Sequence, residues 1–155
     1  MALTRDHKPD APGERERIEA AGGWVRDSVG HVSSSDYTPS RLYASQANPK
    51  LGPGLCMSRA LGDLDGMSCG MTSVPEVTQL PIDPSRDEYL VLGSDGLWEF
   101  LPSERVLELV AKEHKARRSL DTVCRKLILE AALQWRLTEG MYRDDITAYV
   151  IYLTP

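Results

Sequence analysis

The sequence predicts a fold of mixed α and β structure, because two β-type apolar runs enclose two helical periodicities in its second half. Residues 89–92 form a short continuous apolar run, and residues 146–153 are rich in β-branched and aromatic side chains. Between them, apolar residues recur at helical spacing after Ser103 and after Ser119, the predicted N-cap residues, and Gly140 ends the second helix. The order strand, helix, helix, strand indicates an α/β or α+β unit.

The N-terminal part predicts one short helix, a strand and then a long irregular segment. Residues 14–21 carry acidic side chains in their first turn, and two glycines follow them, which are start and stop signals of a helix. Trp24 is expected to open the strand. Residues 26–54 show no sustained period of 2 or 3.6, so we expect a flap or irregular insertion with too few apolar residues for a core of its own.

The remaining strands are predicted from apolar spacing. Val74, Val77 and Leu80 indicate a strand at a sheet edge, because Pro75 cannot donate a ladder hydrogen bond. The runs at 89–92 and 146–153 are apolar at consecutive positions, so both are expected to be buried on two faces.

Length and composition exclude several classes of protein. A chain of 155 residues favours a single domain, and a formal charge of −5 argues against nucleic acid or an anionic membrane as the main partner. The sequence has no apolar run of about 18 residues, and its first residues do not resemble a signal peptide. Its 3 cysteines form no Cys-x-x-Cys pair, which favours an intracellular location, cytoplasmic or nuclear.

Asp95 is the first candidate for a functional residue. It follows the predicted strand 89–92 within the segment Gly93-Ser94-Asp95-Gly96. Flanking glycines allow a ligand or a second stretch of backbone to approach closely. A plain Asp-Gly turn is the alternative interpretation.

Asp144 and Asp145 are the second candidates, because they directly precede the last predicted strand. A carboxylate at the end of one strand and another at the end of a second strand can converge on one point. Oxygen ligands without cysteine or histidine suit Mg²⁺ or Mn²⁺ better than zinc. The alternative is that one of the two aspartates stabilises a turn or pairs with Arg143.

Five motifs follow one another along the sequence. They are Thr4-Arg5-Asp6-His7-Lys8-Pro9, Glu14 to Ala21 with Gly22-Gly23, Met57-Ser58-Arg59-Ala60-Leu61-Gly62-Asp63, Ser94-Asp95-Gly96-Leu97-Trp98-Glu99, and Arg143-Asp144-Asp145-Ile146-Thr147. In this order they resemble the metal-dependent protein serine/threonine phosphatases of type 2C. The match runs nearly from end to end, with residues 26–54 departing where that family carries a variable flap.

The resemblance implies an α+β fold, with residues 1–155 forming the C-terminal half of a four-layer α-β-β-α sandwich. It implies Mg²⁺ or Mn²⁺ as cofactors, with Asp95 and Asp144 as metal ligands and Gly96 and Asp145 beside them. Asp145 stands where the family usually has asparagine. Because a metal-bound water attacks the phosphate, no side chain of this chain is expected to be catalytic. The implied substrate is a protein that carries phosphoserine or phosphothreonine.

The family also has an Asp-Gly-His-Gly-Gly motif, whose aspartate bridges two metal ions, and this motif does not occur in the sequence. Two functions therefore stay open. One is a protein serine/threonine phosphatase whose other half lies outside this sequence, and the other is an inactive pseudophosphatase that binds proteins. In either case, strands left without neighbours predict a homodimer or a partner chain that completes the sheets.

Overall fold

A computed structural model describes residues 1–30 and 37–153. Residues 31–36 of the predicted flap therefore lie outside the described residues. The chain divides into two compact units, one formed by Leu3–Thr78 and the other by the residues from Gln79 onward together with Met1 and Ala2. Among the helices of the described part, none combines the length and the apolar character that a membrane crossing requires.

The first unit is a small antiparallel sheet with a helix packed beside it. The sheet has the strand order β1-β2-β3, with Val25 opposite Leu42 and Leu42 opposite Leu55. Its elements are α1 (Glu14–Ala20), β1 (Trp24–Arg26), β2 (Arg41–Tyr43), a 3₁₀ turn (Pro49–Leu51), β3 (Pro53–Leu55) and α2 (Leu64–Met67). The predicted first helix and the predicted strand at Trp24 are confirmed.

Part of the segment 26–54 is regular structure, contrary to the prediction. It supplies β2 and most of β3, and Leu42 is fully buried. Leu42 packs in one core cluster with Ile18 of α1 and Val25 of β1. The segment has too few apolar residues for a separate core, but these residues join the core of the unit around them. A role as a flap stays a prediction.

Glu14, at the start of α1, is a buried carboxylate held by basic side chains. It is only 3% exposed, and its carboxylate accepts hydrogen bonds from the Ser58 hydroxyl and from Arg59, whose Nε lies 3.1 Å from Oε1. Arg17 adds an ion pair at 2.9 Å. Burial alone would raise the pKa of the Glu14 carboxyl, but the hydrogen bonds from Arg59, Arg17 and Ser58 hold that pKa well below its usual range. The motif Ser58-Arg59 is thereby tied to α1.

The second unit packs helices against a two-stranded antiparallel sheet, which makes the chain an α+β protein. The register pairs Tyr89 with Tyr152 and Gly93 with Ala148. The elements are β4 (Tyr89–Gly93), α3 (Asp95–Trp98), α4 (Ser103–Lys115), α5 (Leu120–Glu139) and β5 (Ala148–Tyr152). Both predicted long helices and both predicted apolar strands are confirmed.

The ends of α5 follow the predicted signals. The Ser119 hydroxyl caps the helix by accepting a hydrogen bond from the Thr122 N–H at 3.3 Å, and Gly140 ends it with φ 67°. The predicted cap Ser103 is instead the first residue of α4, and Pro102 takes the cap position. The buried face of α5 repeats every four residues, at Val123, Leu127, Ala131 and Trp135.

Two strand predictions need correction. Val74 and Leu80 do not lie in a strand, and their side chains are 64% and 51% exposed. Pro75 interrupts the segment, and in the part of the chain that the structure describes no strand pairs with it. Strands β4 and β5 are also not buried on both faces, because Leu92 and its register partner Tyr149 are 52% and 60% exposed. The helices cover one face of this sheet, where Val150 is buried in their core cluster.

Candidate metal centre

The structure brings the two candidate acidic segments to one end of the β4–β5 sheet. Asp95 is the first residue of α3, one residue beyond the end of β4, and Asp144 and Asp145 lie in the segment that leads into β5. Because the strands are antiparallel and Gly93 faces Ala148, the end of β4 and the start of β5 are neighbours. A strand-strand pairing thus positions residues that are about 50 positions apart in the sequence.

The Ser94 side chain joins these two segments. Its hydroxyl donates a hydrogen bond to the Asp145 carbonyl and accepts one from the Thr147 N–H, both at 3.0 Å. The backbone N–H of Ser94 also donates to the Thr147 carbonyl at 3.1 Å. Three hydrogen bonds therefore hold the residue before Asp95 against the residues that follow Asp144.

Gly96 permits the close approach of the same two segments. A Cβ atom at this position would lie 2.2 Å from the Asp145 carbonyl oxygen and 3.2 Å from the Cα of Ile146. Both contacts are with backbone, which cannot rotate away as a side chain can. Any residue larger than glycine would therefore push the Asp95 turn away from Asp145.

Two tryptophans form hydrogen bonds to the backbone of the turn that carries Asp95. The indole N–H of Trp135, on the buried face of α5, donates a hydrogen bond to the Gly96 carbonyl at 2.7 Å. The indole N–H of Trp98 donates to the Gly93 carbonyl at 3.0 Å. The backbone on both sides of Ser94-Asp95 is thus anchored, which fixes the position of the Asp95 Cα relative to the sheet.

The candidate carboxylates form few hydrogen bonds and ion pairs with the described part of the chain. Asp95 and Asp145 are exposed, and Asp144 is half-buried. Asp95 Oδ1 accepts the Gly96 N–H at 2.9 Å, and Asp144 Oδ1 accepts the Asp145 N–H at 2.7 Å. Within residues 1–30 and 37–153, neither Asp95 nor Asp144 forms an ion pair with a basic side chain. The second oxygen of each carboxylate is therefore available to a cation.

This donor set fits a hard divalent cation in kind. Its ligands would be oxygens, as Mg²⁺ and Mn²⁺ prefer, and the close packing at Gly96 keeps the two acidic segments adjacent. In the described part of the chain, however, no three His, Cys, Asp or Glu side chains converge on one point. The chain can thus supply two carboxylates, and Mg²⁺ would complete its octahedron with water or with ligands from elsewhere.

Sequence reasoning missed the residues that hold the site together. In the sequence, Ser94 stands out only as part of a glycine-rich segment, and Trp135 only as an apolar residue at helical spacing. Trp135 lies on the predicted buried face of its helix, and a buried indole N–H needs a hydrogen-bond acceptor. This requirement could have indicated that Trp135 contacts a backbone carbonyl. The sequence could not say which carbonyl would accept the bond.

Comparison with known proteins decides the family. The family model described as "Protein phosphatase 2C" matches residues 1–136. The chain belongs to the protein phosphatase 2C family. Among curated phosphatase 2C relatives, "Probable protein phosphatase 2C 72" of Arabidopsis thaliana is 35% identical over 155 residues, and "Probable protein phosphatase 2C 12" of Oryza sativa subsp. japonica is 33% identical over 158 residues.

A solved phosphatase 2C has the same fold. The chain is similar to the serine-threonine phosphatase 2C from Toxoplasma gondii, with a TM-score of 0.76, 25% sequence identity and 97% of this chain covered. The match covers 46% of that protein, and the alignments cover 43% and 36% of the plant relatives. The chain thus spans less than half the length of these phosphatase 2C proteins.

Proposed function

We propose that this chain is part of a metal-dependent protein serine/threonine phosphatase, to which it contributes Asp95 and Asp144 as ligands of Mg²⁺ or Mn²⁺. The observation that carries the proposal is the junction of the two acidic segments. Ser94 bridges Asp145 and Thr147 by hydrogen bonds of 3.0 Å, and Gly96 packs against the Asp145 carbonyl. The relatives' names support phosphatase chemistry for the whole protein.

The residues of this chain would act by holding charge in place. In Asp95 and in Asp144, one carboxylate oxygen accepts a hydrogen bond from the next residue's N–H, and the other oxygen is left for a cation. These hydrogen bonds orient both carboxylates before a cation binds. Asp145, which is exposed, adds negative charge beside them. When bound, such a cation lowers the pKa of a coordinated water and offsets the charge that develops on the phosphate.

A second candidate function is a protein-binding module without catalysis, a pseudophosphatase. The observation that favours it is the small number of ligands: the described residues hold no cluster of three or more potential metal-binding side chains. The sequence also has no Asp-Gly-His-Gly-Gly motif. By resemblance, the aspartate of that motif is the ligand expected to bridge two metal ions.

The metal site is tested by titrating Mn²⁺ into the chain in a calorimeter. We expect Asp95→Asn and Asp144→Asn each to weaken Mn²⁺ binding about tenfold or more, since loss of a direct ligand costs at least as much as loss of its supporting partners. Asp121→Asn is the matched control, because Asp121 is an exposed acid paired with Arg125 at 2.8 Å on α5. Equal Mn²⁺ affinities in all four proteins would overturn the assignment.

Hydrolysis of a generic aryl phosphate separates the two candidate functions. We expect slow turnover by the isolated chain even with Mn²⁺ present, because its sequence lacks the motif that carries the bridging carboxylate. Slow hydrolysis that disappears in Asp95→Ala supports the phosphatase, whereas Mn²⁺ binding without any hydrolysis, even when the whole protein is assayed, supports the binding module. Turnover as fast as that of a complete phosphatase domain would show that catalysis does not require the missing motif.

We also propose an intracellular location for the protein. Cys56, Cys69 and Cys124 are free thiols, and none of them lies in a disulfide. Three unpaired cysteines are compatible with a reducing compartment. Fractionation of cells that express a tagged copy of the whole protein tests this, and recovery from a secreted fraction would contradict it.

A further inference from the structure

Helices α4 and α5 form an open groove on the surface of the second unit, at residues that the candidate metal centre does not use. The groove has a volume of about 380 Å³. Its walls are one face of each helix, because the lining residues are spaced at one to four positions along each helix, as on a single helical face. They are Arg105, Leu109, Lys112 and Glu113 of α4 and Lys126, Leu129, Glu130 and Leu133 of α5.

Leucines on the α5 wall give the groove an apolar side. Leu129 is 68% exposed and Leu133 is 50% exposed, although α5 already buries a complete face at other positions. Leu137, one further turn along, is also exposed. Single exposed leucines are ordinary on protein surfaces, but three at successive i, i+4 positions form a continuous apolar line.

The acidic side chains of the groove are neutralised within it. Glu113 pairs with Lys126 at 2.7 Å, and Glu130 pairs with Arg105 at 3.0 Å, so both ion pairs connect the two helices. Lys112, in contrast, has no carboxylate within 4.0 Å in the part of the chain that the structure describes. The same is true of its neighbours Lys115, Arg117 and Arg118 beyond the groove.

The end of the groove at Lys112 is therefore strongly basic, although the chain as a whole carries a charge of −5. Residues 112–118 contain four lysine or arginine side chains and one acidic one, and that acidic residue, Glu113, is buried and paired with Lys126. Arg117 adopts a left-handed conformation with φ 54°, and both Arg117 and Arg118 are exposed. Among the described residues, Glu113 is the acid that acts on this end: it attracts Lys112 and Arg118 beyond ion-pair distance, while its own direct ion pair is with Lys126.

We propose that this groove is a docking site for an acidic amphipathic helix of a partner protein. Apolar residues of that helix, four positions apart, would pack on Leu129 and Leu133. Its acidic residues would face Lys112 and the basic residues beyond it, where the charges are complementary. The proposal does not depend on metal binding or on catalysis, so it stands or falls separately from the proposed function.

The proposal is tested with a synthetic helix as the probe. A fluorescein-labelled peptide of about 15 residues, with two leucines four positions apart and glutamates on the flanking positions, is long enough to become helical on binding. We expect saturable binding in fluorescence anisotropy, weakened severalfold by added salt because the charges involved are exposed. A peptide with lysines in place of the glutamates should bind about tenfold more weakly or not at all.

Two double variants of the chain locate the binding surface. Leu129→Ser with Leu133→Ser and, separately, Lys112→Glu with Lys115→Glu should each weaken binding about tenfold, the usual effect of removing an anchor residue or reversing a complementary charge. All four side chains are exposed, so the leucine variant should melt near the temperature of the unmodified chain. The lysine variant places acids in the last turn of α4 and should melt somewhat lower while keeping the circular dichroism spectrum of the folded chain.

The matched control for the leucine variant is Leu61→Ser with Leu64→Ser, two leucines of the first unit that are 89% and 77% exposed. Its affinity for the acidic peptide should be unchanged. The proposal is wrong if the acidic peptide does not bind saturably, if the lysine peptide binds equally well, or if both double variants bind like the unmodified chain.

Discussion

Replacing Trp135 by phenylalanine should loosen the turn that carries Asp95. Trp135 is 7% exposed, and its indole N–H donates to the Gly96 carbonyl at 2.7 Å. Phenylalanine keeps an aromatic ring against Phe100, which contacts the indole edge-to-face at a centroid distance of 4.7 Å. The substitution therefore removes chiefly the N–H and part of the ring, and leaves the Gly96 carbonyl buried without that donor.

The expected loss of stability has two parts. An unsatisfied buried carbonyl costs about 1–3 kcal/mol. The smaller ring buries roughly 50 Å² less apolar surface, which is worth about 1 kcal/mol at roughly 25 cal/mol per Å². We therefore expect Trp135→Phe to lower the free energy of unfolding by about 2–4 kcal/mol. Urea unfolding followed by circular dichroism, at one fixed protein concentration, measures this difference.

Trp98→Phe is the matched control within the same unit. Its indole N–H also donates to a backbone carbonyl, that of Gly93 at 3.0 Å, but Trp98 is only half-buried. Water can replace a donor that is partly exposed, so we expect a loss of about 0.5–1.5 kcal/mol. If Trp135→Phe lowers the free energy of unfolding no more than Trp98→Phe does, the hydrogen bond from the Trp135 indole to the Gly96 carbonyl does not stabilise the turn, which would contradict this prediction. Mn²⁺ affinity should fall about tenfold in Trp135→Phe, since Gly96 adjoins Asp95.

Three further predictions concern the site, the first unit and assembly. Gly96→Ala places a Cβ 2.2 Å from the Asp145 carbonyl oxygen, so it should cost about 1–3 kcal/mol and weaken Mn²⁺ binding in calorimetry; unchanged stability would show that the contact yields freely. Glu14→Gln should cost about 2–3 kcal/mol at neutral pH, because Arg59 loses a charged acceptor. The pKa of Glu14 is lower in the folded protein than in the unfolded chain, so ionised Glu14 stabilises the fold at pH values above its unfolded pKa. This stabilisation is lost as the pH falls towards the pKa of Glu14 in the folded protein. The urea midpoints of the unmodified chain and of Glu14→Gln should therefore converge in acid. Light scattering over a dilution series should reveal a dimer or larger species, and a sharply melting monomer of 17.2 kDa at every concentration would contradict the predicted pairing of exposed strands.

Local signals in the sequence were enough to predict the elements of the second unit. The spacing of Val123, Leu127 and Ala131 predicts the buried face of α5, because one face of a helix repeats every three to four residues. The Ser119 cap and the Gly140 stop are equally local, since each depends on hydrogen bonds or backbone angles within a few residues. Signals of this kind can be read without knowing what the element packs against.

Predictions that depended on neighbouring strands were less reliable. Val74 and Leu80 have β-type spacing, yet a strand exists only where another strand accepts its hydrogen bonds, and the described residues provide none there. Leu92 and Tyr149 lie in confirmed strands but are exposed, because the apolar character of a run does not say how many layers cover it.

The way the candidate site is held together emerges only from the tertiary structure. Asp95 and Asp144 could be named from their positions beside strands, but the bonds that join their segments run from Ser94 to Asp145 and from Trp135 to Gly96, across 51 and 39 positions of sequence. Periodicity reports which face of an element is buried. It does not report which distant carbonyl meets a given N–H, because that depends on the register of β4 on β5 and on the packing of α5 below them.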